Sequence, residues 1–147
     1  MAPRSSSNDF DRAVELTEEA MRVSDETHHK EGEKLLREAM ELLPDEELFT
    51  NNYIEFCLQV AENCTIEEDY IEAVGYFRKA LKARPDDSET LMDLGAAYAR
   101  NNEAAEAFDA WQKALSLLNP KKGKDKQNIE SILENVRIVQ RAMGEMD

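Results

Sequence analysis

Few residues of this 147-residue chain have the types and spacing that catalysis or metal binding needs. His28 and His29 are adjacent, so on a helix their side chains point about 100° apart and cannot ligate one metal ion together. The acidic run Glu67–Asp69 could attract a cation, but it precedes a predicted helix, whose N-terminus favours acids. The sequence has no glycine-rich phosphate loop, no nucleophile elbow and no HExxH motif. It therefore predicts no enzyme activity, no cofactor and no bound metal.

The two cysteines, Cys57 and Cys64, lie within one helical pattern. That spacing separates them by about 10 Å along the helix. Because Cα atoms more than about 7 Å apart cannot be bridged without distortion, we expect no disulfide within the chain. Free cysteines are typical of a reducing compartment, and Met1–Asn8 lacks the apolar segment of a secretory signal. These features predict a cytoplasmic protein with two small, buried, unreactive thiols.

The charge of the chain is unevenly distributed. There are 18 Lys and Arg against 32 Asp and Glu, which gives a net charge of −14. Residues 1–75 hold 6 bases and 20 acids, whereas residues 76–147 hold 12 of each. Nucleic acid and anionic membrane surfaces both attract basic patches, so neither is expected as a partner. The basic run at residues 121–126 is interrupted by glycine and predicts a solvated loop.

An internal repeat organises the chain. Seven positions match the size class of the residue 34 positions earlier: Leu91 with Cys57, Leu94 with Val60, Gly95 with Ala61, Tyr98 with Cys64, Ala107 with Ala73, Trp111 with Phe77 and Ala114 with Ala80. A weaker copy, with Gly32, Leu36, Ala39 and Pro44, precedes them at a period of 41. The extra residues, placed at 47–53, add about two turns and so lengthen a helix without rotating its buried face.

These residues resemble the tetratricopeptide repeat, a helix–turn–helix unit with a 34-residue period. The third copy, with Leu94, Gly95, Tyr98 and Trp111, is similar to the consensus of that family. The resemblance covers about residues 11–120. It implies three repeats, which we place at about 13–46, 54–87 and 88–121.

The expected fold is all-α, a right-handed superhelical solenoid of three helix–turn–helix units with a C-terminal capping helix. Residues 1–8 are predicted to be flexible, residues 9–120 to form the repeats, and residues 125–147 to form the cap. An apolar stripe at three- and four-residue steps predicts the cap: Ile129, Ile132, Leu133, Val136, Val139 and Met143. This stripe is expected to cover the third pair, because terminal repeats need a cap for solubility. Ile138 falls alone on the opposite face and is predicted to be exposed.

In that family the first helix of each pair lines a concave groove, which implies a set of partner-binding positions here. They are Glu18, Met21, Glu55, Gln59, Glu62, Glu89, Met92, Asp93 and Arg100. Acids outnumber the single base of the set, so we expect a protein or peptide ligand of neutral to basic charge. Co-chaperone repeats that grip a C-terminal carboxylate use Lys, Asn and Arg here, so an anionic chain end is not expected. The alternative is that the acids only keep an open surface soluble.

The resemblance implies a protein–protein interaction module that acts as an adaptor or a co-chaperone-like scaffold. One alternative is a secretion-type chaperone for an exported client, because small acidic three-repeat proteins of that class have a similar size and charge. Those proteins carry an extra N-terminal helix, for which the 12 residues before the first repeat leave no room. A second alternative is a self-assembling structural subunit, although a monomer is favoured over a dimer.

Overall fold

The structure is a computed structural model that describes residues 6–24 and 29–145. The other residues lie outside the described ranges: 1–5, 25–28 and 146–147. Most of the predicted flexible segment 1–8 falls among them, as does His28.

Seven α-helices account for most of the described residues, and these ranges contain no β-strand. In chain order the helices are α1 (Ser6–Val23), α2 (His29–Leu42), α3 (Glu47–Ile66), α4 (Tyr70–Ala83), α5 (Ser88–Arg100), α6 (Ala104–Leu117) and α7 (Gly123–Gln140). The segment Arg141–Glu145 follows α7 and includes Gly144, whose φ is 94°. The predicted all-α class is confirmed. Across the described helices, none combines the length and the hydropathy that crossing a bilayer requires.

The chain divides into two compact units within α3. Unit 1 is Met1–Val60 and unit 2 is Ala61–Asp147. Residues 47–53, which the sequence places in an insertion, form the start of α3.

One cluster in the core of unit 1 is built around the ring of Phe49. Phe49 is buried together with Ala13, Leu16 and Ala39, and α1 packs against α2. The ring of Phe10 meets that of Phe49 edge-on, with 5.5 Å between the ring centroids. Alanine at two of these positions lets the helix backbones approach closely, while the phenylalanine supplies most of the apolar area.

Trp111 dominates the core of unit 2. It is buried with Leu91, Ala107, Ala114, Leu118 and Ile132. Its indole N–H donates to the carbonyl oxygen of Met92 at 3.2 Å, so its polar atom is satisfied inside the core. Gly95 lies against the five-membered ring of the indole, and a Cβ at this position would overlap its atoms. The pairing of a small residue on α5 with a large one on α6 explains why the repeat has glycine at this position.

The turns inside unit 2 repeat the 34-residue spacing in their backbone geometry. Glu68, after α3, and Asn102, after α5, both have positive φ, at 63° and 62°. The amide of Asp69 donates to the Cys64 carbonyl at 2.8 Å. The amide of Glu103, 34 residues later, donates to the Tyr98 carbonyl at 2.9 Å. This bond closes a Schellman motif, in which a left-handed residue ends one helix and sends the chain into the next.

Helix α7 is covered less completely than its apolar stripe predicts. Ile132 is fully buried, and Ile129, Val136 and Val139 are partly buried against the core of unit 2. Leu133, however, is 42% exposed and Met143 is 60% exposed. The expectation that the whole stripe covers the third pair is therefore wrong at these two residues. The apolar residues of α7 cover a wider part of its surface than the part that contacts α6 and α5.

Candidate functional site

The predicted binding residues of unit 1 are all exposed. Glu18 and Met21 lie on α1, and Glu55 and Gln59 lie on α3. Met21 is 75% exposed and presents a long apolar side chain to solvent. Glu18 also lines a shallow cavity of about 400 Å³, beside Leu16 and Leu35. Unit 1 thus presents acids next to apolar surface.

Three predicted acids of unit 2 share one environment. Glu62 lies on the last turns of α3, and Glu89 and Asp93 lie one turn apart on α5. Partial burial of the carboxyl group raises the pKa of Asp93 to about 6, and the charges of Glu89, Asp87 and Glu62 raise it further. Asp93 as a residue remains exposed, so solvent screening limits what this shift contributes to stability. The smaller part of the shift, after burial, comes from these neighbouring acids and marks negative charge on this face.

Asp87 belongs to this acidic group, although the groove positions did not include it. Its carboxylate caps α5, accepting from the Thr90 amide at 3.4 Å and from the Thr90 hydroxyl at 2.9 Å. An acid directly before the first residue of a helix, here Ser88, is typical of such a cap. The charge of Asp87 also raises the pKa of Asp93, and this effect depends on how the fold places the two carboxyl groups. We define the acidic face of unit 2 as Glu62, Asp87, Glu89 and Asp93.

A lysine from the last helix already contacts this face. Lys124 lies in the first turn of α7, and its Nζ is 2.8 Å from Oε1 of Glu89. That contact raises the pKa of the Lys124 ammonium, mainly through the hydrogen bond and charge of Glu89. The prediction of a solvated loop over residues 121–126 is wrong for its second half, since α7 begins at Gly123. Contact between α7 and α5 brings the lysine to the acid.

Met92 and Arg100 lie at the margins of the acidic face. Met92 is partly buried against the Trp111 core, so its side chain contributes to packing as well as to the surface. Arg100 is exposed at the other end of α5, where its guanidinium lies 6.0 Å from the Tyr70 ring centroid. Its Nη1 donates to the Tyr70 hydroxyl at 3.5 Å. Arg100 is thus the base at the rim of the predicted set.

Both cysteines lie inside the protein. Cys57 and Cys64 are both free and buried. Burial raises the pKa of the Cys64 thiol to about 11, and the acids Asp69, Glu72 and Glu67 add to the shift. Because the thiolate is the nucleophile, Cys64 is unreactive at neutral pH. Over the described ranges, no three His, Cys, Asp or Glu side chains are grouped as metal ligands would be.

Sequence comparison finds only a local likeness. No protein-family model matches the chain. The peroxisomal targeting signal receptors of Candida albicans and Eremothecium gossypii are 42% and 40% identical to it over 50 residues, which is 34% of the chain. The chain spans only 8% and 9% of the lengths of these relatives.

Three solved structures align with most of the chain. The type III secretion translocator chaperone SycD of Yersinia enterocolitica aligns with a TM-score of 0.56 and 13% identity, covering 91% of this chain and 96% of SycD. The N-terminal domain of stress-induced protein-1 from C. elegans aligns with a TM-score of 0.51 and 16% identity, covering 84% and 96%. The C-terminal TPR-containing domain of a Plasmodium falciparum FK506-binding protein aligns with a TM-score of 0.51 and 20% identity, covering 93% and 96%.

The chain has the tetratricopeptide-repeat (TPR) fold. The resemblance read from Leu94, Gly95, Tyr98 and Trp111 is thereby confirmed. At 13% to 20% identity these likenesses establish the fold alone.

Proposed function

We propose that the chain is a protein-binding TPR module whose acidic face in unit 2 binds a neutral to basic segment of a partner protein. The observation that carries this proposal is the grouping of Glu62, Glu89 and Asp93, which leaves one carboxyl with a raised pKa. A surface of this kind gains most from a ligand that brings positive charge. The module would act as an adaptor or scaffold, with no catalytic step and no cofactor.

The chemistry of the face supports a basic ligand. A lysine or arginine beside Asp93 favours its charged form, so binding would lower the pKa of that carboxyl and release a proton near pH 6. An ammonium already lies against this face in the ion pair between Lys124 and Glu89, which supports the proposal. The same charges repel an acidic segment, which gives the site its selectivity.

The composition of the chain supports the other parts of the proposal. A net charge of −14 disfavours nucleic acid and anionic membranes as partners. Two free, buried cysteines suit the reducing cytoplasm. Two relatives are named as targeting signal receptors, which supports the proposal that this module recognises a peptide segment of its partner.

A chaperone for an exported client is the second candidate. The likeness to SycD, a secretion translocator chaperone, favours it. Such a chaperone would bind apolar client segments, whose affinity depends little on salt, whereas the acidic face predicts strong salt dependence. The exposed side chain of Met21 in unit 1 is the apolar residue most suited to a client contact.

Peptide binding measured by fluorescence anisotropy tests the proposal. Synthetic peptide pools of fixed length, which differ only in carrying Lys, Gln or Glu at the charged positions, serve as probes at low salt. We expect affinity to fall from the Lys pool to the Gln pool to the Glu pool. The double variant Glu62→Lys with Asp93→Lys should weaken binding of the Lys pool by about tenfold or more.

The matched control is Glu130→Lys, which reverses an exposed acid on α7, away from the acidic face. It should leave binding of the Lys pool unchanged. Equal binding of all three pools by the parent would contradict the proposal and leave the acids as solubilising groups. Tight, salt-independent binding of the uncharged pool would favour the chaperone instead.

A further inference from the structure

Helix α4 has an exposed outer face. Ile71, a large aliphatic side chain near the start of this helix, is 74% exposed. At 100° per residue, Gly75, Arg78 and Lys82 lie on the same side of the helix as Ile71. All three are exposed, and a Cβ on Gly75 would meet no atom within 4 Å. The face is exposed from Ile71 to Lys82, and its second half borders a cavity whose lining on α6 includes Glu106 and Asp109.

This face carries opposite charges at its two ends. Glu67, Glu68 and Asp69 lie just before α4, whereas Arg78 and Lys82 lie in its second half. Within residues 6–24 and 29–145, neither Arg78 nor Lys82 forms an ion pair or a hydrogen bond. Two unpaired bases on one helix are notable in a chain with a net charge of −14.

We propose that α4 pairs antiparallel with α4 of a second copy of this chain, across a two-fold axis at Gly75. The two-fold operation brings residues before Gly75 on one copy beside residues equally far after it on the other. The acidic end of each helix then meets the basic end of the other. Because the contact is self-complementary, it closes at two copies and forms a dimer.

Each exposed group of the face gains a partner in this arrangement. Glu68 of the second copy comes beside Lys82. Ile71 of the second copy comes opposite Lys79 and next to Arg78. Arg78 lines a cavity of about 780 Å³ whose other walls include Leu91, Leu94 and the α6 acids Glu106 and Asp109. The missing side chain at Gly75 lets the two backbones approach where they cross. The sequence alone favours a monomer, and the open face of α4 is the reason to expect a dimer instead.

Sedimentation and light scattering of the full chain, across concentration and salt, test this proposal. We expect a reversible dimer at low salt that dissociates as salt rises. Lys82→Glu and Glu68→Lys should each weaken the dimer by about tenfold. Each substitution is present in both copies and so creates two like-charge pairs across the axis. An equimolar mixture of the two variants should dimerise again, since every pair in the mixed dimer is of opposite charge.

Two further variants separate loss of the dimer from loss of the fold. Gly75→Gln should block the close approach and weaken the dimer, while its melting temperature stays at or above that of the parent. Lys126 is an exposed base on α7, and Lys126→Glu makes the same charge change as Lys82→Glu. This control variant should dimerise as the parent does. A parent that sediments as one chain at every concentration overturns the proposal. So does a mixture of Lys82→Glu and Glu68→Lys that stays monomeric.

Discussion

On α5, the side that carries Leu91, Leu94 and Gly95 is buried, whereas the side that carries Glu89 and Asp93 is exposed. Packing constrains the residue types on the buried side, because Trp111 fills the space that Gly95 leaves open. The exposed side has no such constraint, and there partial burial, with the charges of Glu89, Asp87 and Glu62 added to it, raises the pKa of Asp93 to about 6. Packing therefore explains one face of the helix, and a binding role is the account we give of the other.

The two faces differ in how far the sequence predicts them. Leu91, Leu94, Gly95 and Trp111 recur at a fixed spacing because helices must fit against helices, so the period of 34 residues identifies the core directly. The sequence also placed Glu62, Glu89 and Asp93 on exposed helix surface, where the structure has them. Their common environment depends on the folded positions of α3 and α5, which the spacing alone does not specify.

Residues that the sequence misplaced depend on contacts between distant segments. The ion pair between Lys124 and Glu89 joins α7 to α5, and no period in the sequence marks it. Likewise, helical spacing gives the direction of Leu133 and Met143 but not the width of the surface that α7 covers. Local patterns predict which way a side chain points. They do not predict how far the neighbouring element extends.

Removing the largest side chain of the buried face should have the largest effect. Trp111→Ala leaves a cavity among Leu91, Ala107 and Ile132 and should lower the free energy of unfolding by about 3–5 kcal/mol. Urea denaturation followed by circular dichroism measures the loss. A change below about 1 kcal/mol would show that α5, α6 and α7 do not share this core.

Adding one methyl group separates the glycine that packs from the glycine that does not. Gly95→Ala forces a Cβ into the indole ring and should cost about 1–3 kcal/mol. Gly75→Ala, on the open face of α4, should instead stabilise the chain by about 0.5–1 kcal/mol. Thermal melts of the two variants provide the comparison. Equal shifts of the same sign would remove the distinction between the packed and the open helix face.

The acidic face should affect the pH dependence of stability in a particular direction. The pKa of Asp93 is about 6 in the folded chain, above its ordinary value of 3.8, so the folded state binds the proton more tightly than the unfolded state. Stability from this group is therefore complete below its ordinary pKa and is lost as the pH rises through about 6. Asp93→Asn should melt above the parent at neutral pH, and this difference should vanish in acid. A difference that grows in acid would contradict the raised pKa.

The smallest effect is expected on the outer side of α7. Ile138 is 51% exposed and belongs to neither the core nor the acidic face. Ile138→Lys should change the free energy of unfolding by less than about 0.5 kcal/mol. Its sedimentation should match that of the parent, because the proposed dimer uses α4. Loss of self-association in this variant would place the interface on α7 instead.

The titration of Asp93 itself tests the central claim most directly. Carboxyl-detected NMR gives its pKa in the free chain and in the presence of the Lys peptide pool. We predict a value near 6 in the free chain and a lower value with the basic peptides, because a bound ammonium favours the carboxylate. The Glu pool should leave the titration unchanged. A free-chain value near 3.8, or a titration that the Lys pool does not move, would contradict the claim that this face of α5 is a binding surface.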